Sequence, residues 1–541
     1  MKRYVKWLAV AGAALVVLVI AALLAAPLLV DTPRVQSLIA SNASHALGRP
    51  VKFSGVSVVA LPLPSVELRG LEVAEDPKFG TEPFLKLETG RLRLRLLPLL
   101  GGRVEFGELI LKNPLITLVQ NPDGTWNVAS PGATSRDAAT ASRPSGSEGR
   151  GGGAAGAAGL VSKVTIDHGA VVYVSRAGAG SKYRVEDLNL TLTGSPTVVS
   201  FKGDARVKPG DLALKITDGS VALGSARTYF DAPVRGRLAL ETKTLGALAA
   251  VAMGPSPALG GSMKGTLTLA GTVGKPNASG DIQLSDFAVT QTQPHCPEPK
   301  QRTLAFAPVK MNAAYDESRF NARPLTTGIA SGTITTNVVA TLDRGMQVAM
   351  NDLGIKGLPL EKVLVDYLCQ GYAVSGPLEL TGALTMHATD IWHTLSGPGQ
   401  LRIGPGKVVG PQALALLSGV TRLGGAVSSL ASADLPPSLF ESPVEFESIT
   451  GTYQATNGVI TTRDLLYTSK PMKVAVAGTY ALASGAMNLD MVVSYVRGAV
   501  KAKVTGTAAS PSIRVDPASV LKDVDPAKVE RGLQDLLKRF K

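Results

Sequence analysis

Residues Arg91-Leu92-Arg93-Leu94-Arg95-Leu96 alternate charge and leucine without a break. Successive side chains of a strand point to opposite faces, so the stretch reads as a strand with arginines on one face and leucines on the other. Val56-Ser57-Val58, Val66-Glu67-Leu68 and Leu71-Glu72-Val73 repeat the theme. Leu109 and Leu111 alternate with Ile110 and Lys112, after turn signals at Pro98 and Gly101-Gly102. Residues 50–128 are therefore expected to be consecutive strands.

From 160 to 515 strands dominate again, and the sequence echoes itself. GTLTLAG at 265–271 matches GPLELTG at 376–382, both G-x-L-x-L-x-G. SGDIQL at 279–284 is echoed by SGPGQL at 396–401, and GTVGKP at 271–276 by GTAASP at 506–511. Such self-similarity suggests one strand–turn unit laid down repeatedly, each needing its neighbour to bury a face. The composition agrees. Hydrophobic residues make up 45% but aromatics only 5%, so the apolar mass is valine, leucine, alanine and isoleucine, while 58 Gly and 35 Pro supply turns. At 541 residues the chain exceeds one ordinary domain.

The segment before these strands indicates location. From Trp7 to Val30 every residue is apolar, Gly or Pro, and Lys2, Arg3 and Lys6 precede the run. As a helix rising about 1.5 Å per residue, such a run crosses a hydrocarbon core of about 30 Å. The basic flank stays cytoplasmic and the bulk lies across the membrane. A secretory signal peptide is the competing reading, but its apolar region is normally about 7–15 residues. Beyond the anchor (1–30), Pro33 suits the first position of an amphipathic helix that ends where Gly48 can adopt a left-handed conformation. Together with the strands to residue 129 it makes a first module. Residues 130–159 are a Gly/Ala/Ser linker with almost nothing to bury. A long body spans 160–516, interrupted by short helices near 359–369 and 411–423. A terminal segment, 517–541, carries a basic amphipathic helix over 525–540, expected to cap a sheet end or to touch a membrane.

A net charge of +13 invites a nucleic-acid reading. The basic residues are scattered along strands with no recognition-helix, zinc-finger or RNP pattern, and the compartment is wrong, so nucleic acid is excluded as a partner. Cys296 and Cys369 lie outside any CxxC. In an oxidising compartment they are able to pair, which the sequence leaves open. No catalytic constellation stands out. His45, His168, His295, His387 and His393 read as surface residues, with His168 in a turn. His387 and His393 are spaced six apart around Asp390, unsuited to sharing a metal. There is no G-x-S-x-G, H-E-x-x-H or Walker pattern. Asp187, Asp218, Asp281 and Asp343 read as turn residues. The expectation is a protein without covalent chemistry, cofactor or metal.

One-sided strands need a cover. The helices are too few and too short. The sheet either folds on itself as a sandwich or curls into a trough filled by a ligand, and pattern alone does not choose.

A family resemblance does. LGRPVKF at 47–53, LPLPSVELRGLEVA at 61–74, LPLLGGRVEFGELILKNP at 97–114 and DGTWN at 123–127 resemble the AsmA family of bacterial envelope proteins. GPGQLRIGPGKVVG at 397–410, ITGTYQATNGV at 449–459 and VTGTAASPSIRVD at 504–516 are similar to the family's other end. The resemblance implies a single-pass protein of the inner membrane with a periplasmic body, related to the repeating β-groove lipid-transfer proteins. It implies a mostly-β fold, a long curled antiparallel sheet with a few short helices, serving phospholipid traffic and outer-membrane upkeep. Leu92, Leu94 and Leu96 would then line the trough while Arg91, Arg93 and Arg95 face outward. Leu109, Leu111, Leu267, Leu269, Leu378 and Leu380 are the further candidate lining residues. Phospholipid, the inner membrane and other envelope or outer-membrane assembly proteins are the expected partners. The alternative role is a non-enzymatic scaffold that regulates outer-membrane protein insertion.

Overall fold

The computed structural model describes residues 48–127, 162–414 and 445–516, with gaps of which 96–105 is the longest, together with Ser37, Ala40, Ser41 and Ser44. The expected membrane span (1–30), the linker (130–159) and the helix at 525–540 lie outside the described residues. Among the described residues no helix is long and apolar enough to cross a membrane. Ser37, Ala40, Ser41 and Ser44 are helical, and Gly48 takes a positive φ of 64°, the left-handed stop expected there. Twenty-nine strands are described, 26 of them in one mixed sheet and three in a small separate one. The described residues fall into two compact units, one from Met1–Pro255 with Met263–Ala278, the other from Ser256–Ser262 with Ser279–Lys541.

In the first unit, β1 (Val51–Lys52) and β2 (Gly55–Val59) pair antiparallel with β3 (Ser65–Val73), and β3 with β4 (Leu85–Leu94). β5 (Phe106–Lys112) and β6 (Leu115–Gln120) follow one another along β4. Both then pair with β7 (Lys163–Ser175) in parallel. The sheet is therefore mixed rather than antiparallel throughout. Asn113-Pro114 joins β5 to β6 by a kink rather than a hairpin, so the two act as one bent strand, and β7 begins again from the same end. Beyond it β8 (Lys182–Gly194), β9 (Val198–Lys208), β10 (Leu212–Ala222), β11 (Val234–Thr242) and β12 (Ala258–Gly271) meander antiparallel. Helix α1 (Leu245–Met253), unforeseen in the sequence, links β11 to β12.

The bends have a common cause. Asn113, His168, Asp187 and Asp218 all have φ near +50°. The last three sit inside β7, β8 and β10, where the pairing register slips. A left-handed residue inserted in a strand makes a bulge that kinks it, and Asn, Asp and His tolerate that conformation best after glycine. Asp187, Asp218 and His168 are thus mid-strand bends rather than turn residues.

In the second unit, β13 (Pro276–Thr292) pairs with β14 (Gln301–Ala305). β15 (Val309–Asp316), β16 (Arg319–Ile329), β17 (Gly332–Thr341) and β18 (Gln347–Pro359) continue as a meander. A small sheet of β19 (Val374–Ser375), β22 (Gly406–Val408) and β23 (Glu445–Phe446) lies apart. The main ladder goes on through β20 (Pro377–His387), β21 (Gly397–Ile403), β24 (Ser448–Thr456), β25 (Val459–Thr468), β26 (Lys473–Ala481), β27 (Ala486–Tyr495), β28 (Gly498–Thr507) and β29 (Ser510–Val515). Asp286 and Asp352 repeat the left-handed bend in β13 and β18. Asp281 lies within β13 and accepts from Asn312 Nδ2 at 3.1 Å, while Asp343 is outside the described residues.

The expected helix at 359–369 is present as a π-helical segment, Lys362–Tyr367. Of the helix at 411–423 only residues 412–414 are described, and they are helical. Cys296 and Cys369 are joined in a disulfide across 73 residues, tying the β13–β14 loop to the end of the π-helix.

Candidate functional site

The first unit separates its two sheet faces by chemistry. Residues directly opposite each other on paired strands project from the same face. Starting at Leu68, the register runs to Gly90, Leu111, Ile166 and Leu190 on β4, β5, β7 and β8. It continues through Gly203, Ile216, Leu238 and Leu267 on β9 to β12. Nine strands thus contribute one unbroken row without a polar side chain. A second row joins Val66, Leu92, Leu109, Val164, Leu192 and Phe201. The described leucines, isoleucines and valines of both rows are half-buried, none fully enclosed.

The opposite face is ionic. Glu67 accepts from Arg69 Nε and Arg91 Nη2, both at 2.8 Å. Glu108 bridges Arg93 and Lys163, the latter at 2.9 Å. The Arg91 guanidinium, ahead of that of Arg69, holds the Glu67 carboxyl below its ordinary value. Lys163 does the same for Glu108. Arg91 and Arg93 therefore face away from the leucines, as the alternation requires. Toward β12 the same face carries Arg206, Glu241 and Lys264 in one register row.

Of the expected lining residues, Leu92, Leu109, Leu111 and Leu267 belong to these two rows, and Leu269, also half-buried, follows Leu267 on β12 opposite Gly236. The side chain of Leu94, and Leu96 altogether, are outside the described residues. In the second unit, Leu378 is 8% exposed within a packed core with Ile403, Val474, Met491 and Val493, and Leu380 packs against that core. Leu378 is thus enclosed by protein, while Leu380 is half-buried. The first unit's rows also contain Ile166, Leu190, Ile216 and Leu238, which sequence reasoning passed over. Their signal was the alternation in DLNLTLTG at 187–194 and LALKIT at 212–217.

A second constellation lies in the first unit at the foot of β1. Arg49, 4% exposed, donates from Nη1 to Glu75 Oε1 at 2.9 Å and from Nη2 to the carbonyl of Asn127, while its guanidinium lies 4.8 Å from the centre of the Phe84 ring. Asn127, wholly buried, donates to Glu75 Oε2 at 2.6 Å and to the Thr117 carbonyl, and accepts from the Val119 N–H at 3.0 Å. The neighbouring Trp126 stacks on Tyr173 with ring centres 5.6 Å apart. Arg49 belongs to the LGRPV stretch, and Trp126 and Asn127 to DGTWN. Every charge is met by a charge-assisted hydrogen bond inside the fold, an arrangement suited to clamping chain segments rather than to chemistry on a substrate.

Among the described residues no three metal-ligating side chains gather. His393 Nδ1 meets Asp390 at 2.8 Å and His168 Nδ1 meets Asp167 at 2.8 Å, both exposed pairs. His45 and His295 are outside the described residues.

The fold and this two-faced sheet define a mostly-β protein built on one long mixed sheet. The AsmA family model matches residues 1–202. That part of the chain is similar to the AsmA family. No curated protein and no solved structure matches the chain.

Proposed function

We propose that this chain is an inner-membrane-anchored periplasmic protein that binds or conducts phospholipid for outer-membrane maintenance. One observation carries the reading: the row from Leu68 to Leu267 crosses nine strands, and its leucines and isoleucines are all half-buried. At about 4.8 Å per strand its eight intervals extend about 38 Å, against roughly 15 Å for one leaflet of a hydrocarbon core. More than one acyl chain can lie along it. A contiguous apolar surface of that length in a secreted fold fits a hydrophobic cargo. The ionic face supports the same reading, since it supplies the wetted side of such a sheet. The match of residues 1–202 to the AsmA family model supports the same reading.

The test uses opposite faces of single strands. A photoreactive phenylalanine analogue at Leu214 or Leu267 should yield phospholipid adducts by mass spectrometry in the full chain expressed in cells. The same analogue at Lys215 or Thr266 should not. Equal labelling on both faces, or none at Leu214 and Leu267, would overturn the reading and leave a scaffold role.

A further inference from the structure

Three connections of the first unit lie at the same end of its strands. The register Val198↔Ala222, Val221↔Val234 and Gly236↔Leu269 brings together the β8–β9 turn, the β10–β11 connection and the turn after β12. Each carries an exposed apolar side chain: Val198 at 44%, Phe230 at 56% and Val273 at 42%. Phe230 and Val273 are held side by side by backbone hydrogen bonds, Gly274 N–H to the Phe230 carbonyl at 2.8 Å and Val273 N–H to the Ala232 carbonyl at 3.0 Å. Leu223 N–H to the Thr197 carbonyl, 2.7 Å, ties the first connection to the second. Exposed cations follow on the same strands and turn, Arg235 and Arg237 on β11, Lys202 on β9 and Lys275 in the last turn, against Asp218 and Asp231.

We infer that this rim docks on the headgroup layer of an anionic bilayer. Apolar tips enter the acyl boundary while guanidinium and ammonium groups remain at the phosphates, the arrangement expected of an interfacial segment. Three tips in a row present a line, whereas a stable protein contact needs about 800 Å² from each partner. The chain's excess of 55 Lys and Arg over 42 Asp and Glu favours the same occupant. This contact is separate from the trough and does not require it to be loaded.

The experiment reconstitutes the full chain in phosphatidylcholine nanodiscs, which occupy its anchor, and measures co-flotation with acceptor vesicles. The acceptors are roughly one-third phosphatidylglycerol in phosphatidylcholine. The wild type should co-float. Phe230→Ser with Val273→Ser, and separately Arg235→Ser with Arg237→Ser, should each weaken co-flotation about tenfold. Added salt should weaken the wild type but leave the arginine variant nearly unchanged. Unaltered unfolding midpoints and retained lipid labelling at Leu214 show that fold and trough are intact. Co-flotation of both variants at the wild-type level, or none by the wild type, overturns the inference. So does a wild type that self-associates through the rim, seen as an oligomer mass that the variants lose.

Discussion

Arg49, Glu75 and Asn127 come from three separated stretches of chain and share one buried network. Breaking a buried ion pair leaves an uncompensated charge, so Glu75→Ala should cost about 3–5 kcal/mol. Asn127→Ala strands the Val119 N–H and should cost about 1–3 kcal/mol. Urea unfolding of the full chain measures both. On the polar face, Glu67 and Glu108 have lowered folded pKa values because of Arg91 and Lys163. Each therefore adds stability that is complete above its unfolded pKa and is lost as pH falls through the lower folded value. Unfolding midpoints should drop as pH falls below about 5, and Glu67→Gln should flatten that drop. None of these partnerships was readable from alternation, because it assigns residues to faces and does not say which strands are neighbours.

At the scale of elements, bends rather than strands were hidden. Asp187 and Asp218 resemble turn residues in sequence, yet each sits inside a strand with a left-handed backbone. Asp187→Val should cost about 1–2 kcal/mol through that backbone, and Asp187→Gly far less. Beside the bend in β10, Gly219 lies against the Phe201 ring, where a Cβ would come 2.5 Å from Cε2. Gly219→Ala should therefore destabilise by about 1–3 kcal/mol. The parallel pairing of β7 was also illegible, since it follows from where the chain returns after residue 121 and not from any strand's own pattern. The disulfide, left open by spacing alone, closes a loop whose loss in a Cys296→Ser, Cys369→Ser variant should cost about 4 kcal/mol. Strand identity itself was plain wherever apolar residues alternated, as in β4 and β12.

For the molecule as a whole, the two units treat their apolar faces differently. In the second unit Val493 and Val504 are wholly buried and Met491 is 8% exposed, all within one packed cluster. Met491→Ala should cost about 2–5 kcal/mol. Leu238 and Leu214 in the first unit are half-buried. Their replacement by Asp should remove phospholipid labelling while the unfolding midpoint stays near that of the wild type. The same G-x-L-x-L-x-G pattern serves both fates: Leu267 lies on a half-buried row and Leu378 in a core. Short motifs report strand and face. What covers the face is set by elements far away in sequence, such as the π-helix at Lys362–Tyr367.

The Arg49–Glu75–Asn127 network has a consequence for descent. Arg49 and Asn127 stand in the stretches that carry the family resemblance, and the partners they hold are the chain's own Glu75 and backbone. Substitutions confined to the leucine rows would leave that network, and with it the resemblance, as they are.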